Sequence, residues 1–217
     1  MKIYIYLAMA TLIFAGTSYA QYDFRLGMGI SEVSTPSLVN YLNDAHFAPP
    51  GQQLSVFNSA VVFSGEAGYF INDSYEISLD FSYLLNSYNF LDDFGLYKLS
   101  YDIIMPSVIN YYVIKGIGYN FKFGGGVGPR FTSVTQQVPP ASALIYNSVG
   151  FGFLLKAEGN TTLGDNFYAN IGVSLGYDFN GEPKNGSLYL VNPINNENVN
   201  FNSLLAGIHL GVSYIFY

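Results

Sequence analysis

"YNFKFGGGVGPRF", residues 119–131, puts Tyr119, Phe121, Phe123, Val127 and Phe131 on one parity and Asn120, Lys122, Gly124, Gly126, Gly128 and Arg130 on the other. A period of two is the signature of a strand with two unlike faces. Here one face is greasy and the other carries glycine with isolated cations. Such a strand suits a wall between an apolar medium and a crowded polar interior.

The same alternation recurs along the chain. Tyr22, Phe24, Leu26, Met28 and Ile30 oppose Asp23, Arg25, Gly27, Gly29 and Ser31. Phe63, Ala67, Tyr69 and Ile71 oppose Ser64, Glu66 and Gly68. Tyr75, Ile77, Leu79, Phe81 and Tyr83 oppose Glu76, Ser78, Asp80 and Ser82. From Leu99, the apolar set Tyr101, Ile103, Met105, Ile109 and Tyr111 opposes Ser100, Asp102 and Asn110, with Pro106 as an interruption. Further on, Val149, Phe151, Phe153, Leu155 and Ala157 oppose Gly150, Gly152, Lys156, Glu158 and Asn160. Ile171, Val173, Leu175 and Tyr177 then oppose Asn170, Gly172, Ser174, Gly176 and Asp178. The last segment sets Ile208, Leu210, Val212, Tyr214 and Phe216 against Gly207, His209, Gly211 and Ser213.

Counting the opening stretch, the reading gives eight strands, most of them ten residues or longer. Globular strands average about 5–6 residues, whereas a tilted strand crossing a bilayer needs about 9–11. Connections at 72–74, 114–118 and 164–166 are short, and those at 34–58, 86–96, 133–147 and 180–202 are long. These lengths predict an all-β protein: an eight-stranded, antiparallel, up-and-down transmembrane β-barrel with two unlike ends. Residues 37–46 are expected to add a helical turn or two.

Composition agrees. Half of the 217 residues are hydrophobic and only 11% are charged, against roughly 25–35% on the surface of a soluble domain. There is no cysteine, so disulfides and thiolate metal sites are excluded. The net charge of −7 comes without a basic cluster, which argues against nucleic-acid binding. Residues 1–20 read as a secretory signal, with Lys2 before an apolar run and Ser18-Tyr19-Ala20 as the cleavage site. The barrel domain is then expected over 21–217.

Alternation by itself does not say which face looks out. The polar parity is rich in Gly, Ser and Asn, which fit a narrow lumen better than a wetted surface. It also holds Arg25, Lys122, Arg130 and Lys156 together with Asp23, Glu66, Glu76, Asp80, Asp102, Glu158 and Asp178. A closed interior can pair these charges, and leaving any unpaired there would be expensive. Tyrosines near the strand ends, such as Tyr22, Tyr69, Tyr75, Tyr177 and Tyr214, sit where a bilayer interface favours them. The apolar face is therefore expected against lipid. The expected interior network is Asp23, Arg25, Glu66, Asp80, Asp102, Lys122, Arg130, Lys156, Glu158 and His209.

With these strands and the closing "GVSYIFY", residues 211–217, the chain resembles the small eight-stranded outer-membrane barrels, the OmpA, OmpX and OmpW-like group. The resemblance implies contact with outer-membrane lipid and lipopolysaccharide, and no cofactor. It also implies that the barrel assembly machinery reads the last strand through Gly211, Tyr214, Phe216 and Tyr217.

Three functional classes follow. The first is a structural or surface-binding barrel, expected to be a monomer, with its interior plugged by charge and a possible extracellular ligand on its long loops. Those loops carry Asp44, Asp92, Asp93, Glu182 and Glu197, and expose apolar pieces at 46–54, 90–97 and 138–146. Residues 95–102 are expected to extend a hairpin beyond the membrane. The second class is a narrow channel for small, hydrophobic solutes, as in the OmpW-like group. The third is an outer-leaflet lipid-modifying enzyme, for which His46 near Asp44, or His209, would be the base. A solvated loop histidine and a hydrogen-bonded interior histidine account for both without catalysis.

Overall fold

A computed structural model describes residues 21–45, 47, 53–55, 57–93 and 95–216, without the side chains of Phe57 and Asp92. The expected secretory signal, His46 and Tyr217 lie outside the described residues. The chain runs β1 (Tyr22–Ser34), α1 (Pro36–Asp44), β2 (Phe57–Asn72), β3 (Tyr75–Asp92), β4 (Gly95–Gly116), β5 (Tyr119–Gln137), β6 (Leu144–Gly164), β7 (Phe167–Phe179), the two-residue β8 (Lys184–Asn185) and β9 (Leu188–Tyr189), and β10 (Ser203–Phe216). Neighbouring strands pair antiparallel from β5 back to β1, β1 pairs β10, β10 pairs β7, β7 pairs β6, and a β5–β6 ladder closes a ring of eight strands. Closure pairs the strands with one another around the ring, the condition for strands to cross hydrocarbon. The β4–β5 ladder is interrupted only between Ile104–Phe131 and Val108–Val127, where Pro106 and Pro129 have no N–H to donate.

The orientation is the expected one. Phe24, Leu26, Met28, Phe121, Phe123, Phe153 and Leu210 project outward and are exposed, while Asp23, Arg25, Lys122, Lys156 and Glu158 are buried within. Aromatic residues cluster at both rims of this apolar band. At the end with the short turns, Tyr22 packs on Tyr69, Tyr75 on Tyr112, and Phe167 and Phe216 on Tyr214. At the end with the long loops, Phe151, Phe153, Tyr177 and Phe179 form one cluster.

β4 corrects the sequence reading. Leu99, Tyr101, Ile103, Met105, Ile109 and Tyr111 point into the barrel and are buried, whereas Ile104, Val108, Tyr112 and Ile114 are exposed outside. Both faces of this strand are apolar, so its own alternation does not fix its parity. The neighbouring strand does. Gly124 and Gly126 of β5 face inward beside Tyr111 and Ile109, and a Cβ added at Gly126 would lie 2.7 Å from Ile109 Cγ1. At Gly128 a Cβ would collide with the Pro106 carbonyl. The glycine track makes room for the large inner side chains of β4.

Two of the expected long loops are largely strand. β3 runs to Asp92 and β4 starts at Gly95, paired with each other up to those two residues, and β5 and β6 leave only 138–143 between them. Above the apolar band the outer face meets water, so Ser87, Asn89, Thr135 and Gln137 replace the aromatics and the membrane signature fades. The inner face there becomes apolar instead. Leu84, Leu99, Tyr101, Ile103, Val134 and Tyr146 pack with Leu38, Tyr41 and Leu42 of α1 and with Leu190, Val199 and Phe201 of the last loop. Phe47, expected in an exposed apolar loop piece, is buried in this cap between Tyr41 and Tyr97. Burial pushes the Tyr41 hydroxyl up to about 12, so it stays neutral at pH 7 and accepts a hydrogen bond from Gln136.

Phe201 is fully buried against Tyr101, with ring centroids 5.4 Å apart. Phe201→Ala is expected to lower unfolding stability by about 3–5 kcal/mol, read by urea titration in detergent micelles. A change below about 1 kcal/mol would show that the cap is loosely packed.

Candidate functional site

The barrel interior is layered. At the short-turn end Phe70, Val113, Tyr168 and Ile215 form a small apolar layer with Tyr111 and Ile109. Next to it lies an amide ladder. Asn160 donates to Asn120 at 2.7 Å, and Asn170 donates to Asn160 at 2.8 Å. Ser213 reaches the same Asn160 oxygen at 3.3 Å.

The ionic centre follows. Lys122, with no exposure, bridges Asp23 and Glu76, the latter at 2.6 Å. Arg25 bridges Glu66 and Glu158. Lys156 joins Asp80 at 2.6 Å and Glu66 at 3.3 Å. The Tyr111 hydroxyl, carried over the glycine track, lies 3.1 Å from Glu66 and 3.3 Å from Glu158. His209 Nε2 stands 3.4 Å from Glu158. Nearer the loop end, Arg130 forms a separate pair with Asp178 at 2.6 Å. Its Nη1 is held by Ser107 at 3.1 Å and by the Gly128 and Pro129 carbonyls. Between the two ionic groups lies a cavity of about 60 Å³ with a mixed lining, in which Asp80, Lys156, Asp178 and His209 meet Val62, Met105 and Leu205. The apolar cap then closes the far end.

The structure thus brings together Asp23, Arg25, Glu66, Asp80, Lys122, Lys156, Glu158 and His209, and keeps Arg130 one layer away with its own carboxylate. Asp102 does not join them. It lies on the outer face of β4, opposite Leu85 and Ser133, because the parity of β4 is the reverse of the expected one. Tyr111 escaped the sequence reading for the same reason. Glu76 and Asp178, already on the polar parity, complete the pairs. Of the closing residues, Gly211 faces Gly27 across the β1–β10 ladder, and Tyr214 and Phe216 sit in the outer aromatic rim. In the loops, Asp44 accepts a hydrogen bond from Asn192 at 2.7 Å, and Glu182 one from Asn198 at 2.8 Å. Among the described residues no group of three or more His, Cys, Asp or Glu could hold a metal ion.

An outward apolar band, a closed ring of eight strands and an ion-filled lumen define the fold of the small outer-membrane β-barrels. No protein-family model matches the sequence, and no curated protein matches it either. Solved structures do. A major outer membrane protein from Thermus thermophilus is similar with a TM-score of 0.54 and 14% identity, over 92% of this chain and 100% of that one. Ail, the attachment invasion locus protein of Yersinia pestis, solved with the heparin analogue sucrose octasulfate, gives 0.53 and 14% over the same shares, 92% and 100%. Neisserial surface protein A gives 0.50 and 15%, again over 92% and 100%. At these identities the likeness is one of fold.

Removing a buried cation from this centre strands carboxylates that have lost their counter-charge. Lys122→Leu is expected to cost about 3–5 kcal/mol of unfolding free energy, with Arg130→Leu in the same direction. Lys115→Leu is the control. Lys115 pairs at 3.2 Å with an almost fully exposed Asp73, and exposed pairs contribute about 1 kcal/mol at most. Equal effects at Lys122 and Lys115, measured by unfolding in micelles, would contradict a desolvated centre.

Proposed function

We propose that this chain is an outer-membrane barrel that neither catalyses a reaction nor conducts solute, and that it acts through the loop end it holds rigid at the cell surface. The observation that carries the reading is the filled lumen. An eight-stranded barrel is just wide enough for its own side chains, and here apolar layers at both ends enclose an ionic centre. A barrel built for flow would leave the axis wet. The loop end, by contrast, is organised like a soluble core, with α1 and the 180–202 segment packed onto the strand extensions. Loops on a rigid scaffold are where recognition usually resides. The long-loop end then faces out of the cell, and the short turns face the periplasm.

In this reading the apolar band contacts outer-membrane lipid and lipopolysaccharide, and the chain works as a monomer. The Gly211, Tyr214 and Phe216 end of β10 serves recognition by the assembly machinery. Of the two candidate bases for a lipid-modifying enzyme, His209 faces the lumen beside Glu158 rather than the bilayer surface, and His46 lies outside the described residues. The narrow-channel reading keeps one supporting observation, the small cavity between the two ionic groups.

Purified protein in planar bilayers separates these two readings. A silent current trace is expected. Reproducible conductance steps that scale with the amount of protein would overturn the plugged reading in favour of transport.

A further inference from the structure

Residues 198–202 read Asn-Val-Asn-Phe-Asn. Val199 and Phe201 point down into the apolar cap, and alternation turns Asn198, Asn200 and Asn202 the other way. The three amides line one side of a surface groove of about 660 Å³. Pro36, Ser37 and Asn40 at the start of α1 line it as well. Glu182 and Glu197 border it, and the exposed ring of Tyr177 sits at its edge. Tyr177 belongs to the loop-end aromatic rim, so the groove opens where the apolar band ends.

The polar groups of this groove are already oriented by bonds to the scaffold. Asn200 Oδ1 accepts from the Asn202 backbone N–H at 3.3 Å, and Asn202 Oδ1 accepts from the Gly181 N–H at 3.2 Å. Neither Nδ2 group has a partner among the described residues, so both stand as donors for a ligand. Asn198 Nδ2 donates to Glu182 Oε2 at 2.8 Å, which leaves Asn198 Oδ1 and Glu182 Oε1 as acceptors. The segment beneath is pinned. Phe201 N–H bonds the Gly181 carbonyl at 2.8 Å, Val199 N–H bonds the Leu190 carbonyl at 2.8 Å, and Ser37 Oγ accepts from the Asn200 N–H at 3.1 Å. Fixed donors beside fixed acceptors, with a ring at the edge, match a chain of vicinal hydroxyl groups. Each hydroxyl both donates and accepts, and the apolar face of a pyranose can lie on an aromatic ring. Among the described residues no Lys or Arg lines the groove. With two carboxylates present, phosphate, sulfate or uronate would be repelled.

We propose that this groove binds uncharged sugar residues at the outer surface of the membrane, either those of a glycolipid in the same leaflet or those of a soluble glycan. The proposal rests on the surface-binding reading above and names its ligand class. Rigid donors and acceptors lower the ordering cost of binding a flexible oligosaccharide. Tyr177 serves as the stacking platform, and Asn198, Asn200 and Asn202 read the hydroxyls.

Titration calorimetry on the protein in lipid nanodiscs tests this, with maltotriose, cellotriose and chitotriose as uncharged probes and sucrose octasulfate as an anionic one. Saturable binding of at least one uncharged trisaccharide is expected, with none of the anionic probe. Asn200→Leu and Asn202→Leu should each weaken that binding at least tenfold, and Tyr177→Leu, which keeps the rim apolar, should do the same. Asn89→Ala, on the β3 extension, should leave it unchanged. Folding of each variant is checked by the mobility of unheated protein on a denaturing gel. A second set of nanodiscs carrying an uncharged glycolipid separates the sources. Competition by that lipid assigns the groove to the leaflet, and absence of competition assigns it to soluble glycan. Failure of every uncharged probe, tighter binding of the anionic one, or binding that needs added Mg²⁺ or Ca²⁺ would overturn the proposal. Failure here with silent bilayers would remove only this inference, whereas conductance steps would remove the reading beneath it.

Discussion

Three buried cations, Arg25, Lys122 and Lys156, hold five buried carboxylates in place at the centre of a barrel too narrow to admit bulk water. An isolated charge at that depth would cost several kcal/mol, and good geometry with multiple partners offsets this only where every group is engaged. The arrangement follows that rule. Each cation touches at least two carboxylates, and Tyr111 adds a hydroxyl to the most crowded pair, Glu66 and Glu158. The rest of the molecule shields this centre: lipid-facing aromatics outside, an apolar layer and amide ladder below, and a packed cap above. An apolar filling of equal volume can be as stable as such a lattice.

Space for the lattice comes from glycine. Tyr111 reaches its two carboxylates only because Gly124 presents no side chain beside its ring. Gly27 and Gly211 face each other across the ladder that joins the first and last barrel strands. The stretch that decided the fold thus has two functions. Its aromatic parity faces lipid, and its glycine parity gives the neighbouring strand room inside.

Much of this was legible in the sequence. Strand number, closure, the short-turn and long-loop ends and most interior ions follow from alternation, because one face of each strand differs sharply from the other. β4 did not yield to the same reading. Its two faces are both apolar, and its parity is set by the glycines of β5, a partner that no single strand reveals. Asp102 was misplaced and Tyr111 missed through that one inversion. The cap was hidden for a related reason. Beyond the bilayer the solvent changes, so polar residues move to the outer face and apolar ones to the inner face, and the strand extensions look like loops. The asparagine ladder at 198–202 carries a clear period of two, yet it becomes interpretable only once Val199 and Phe201 are seen to have a core to enter.

The account stands on which side of the wall each side chain occupies. The native chain lacks cysteine, so single cysteines along β4 and β10 can be spin-labelled one at a time in bilayers and probed with oxygen and with a water-soluble nickel complex. The account predicts oxygen-accessible, lipid-facing labels at Ile104, Val108, Leu210 and Val212, and low oxygen access at Ile103, Ile109, His209 and Gly211. The opposite parity on either strand, with labels at Leu210 or Ile104 shielded from oxygen, would contradict it.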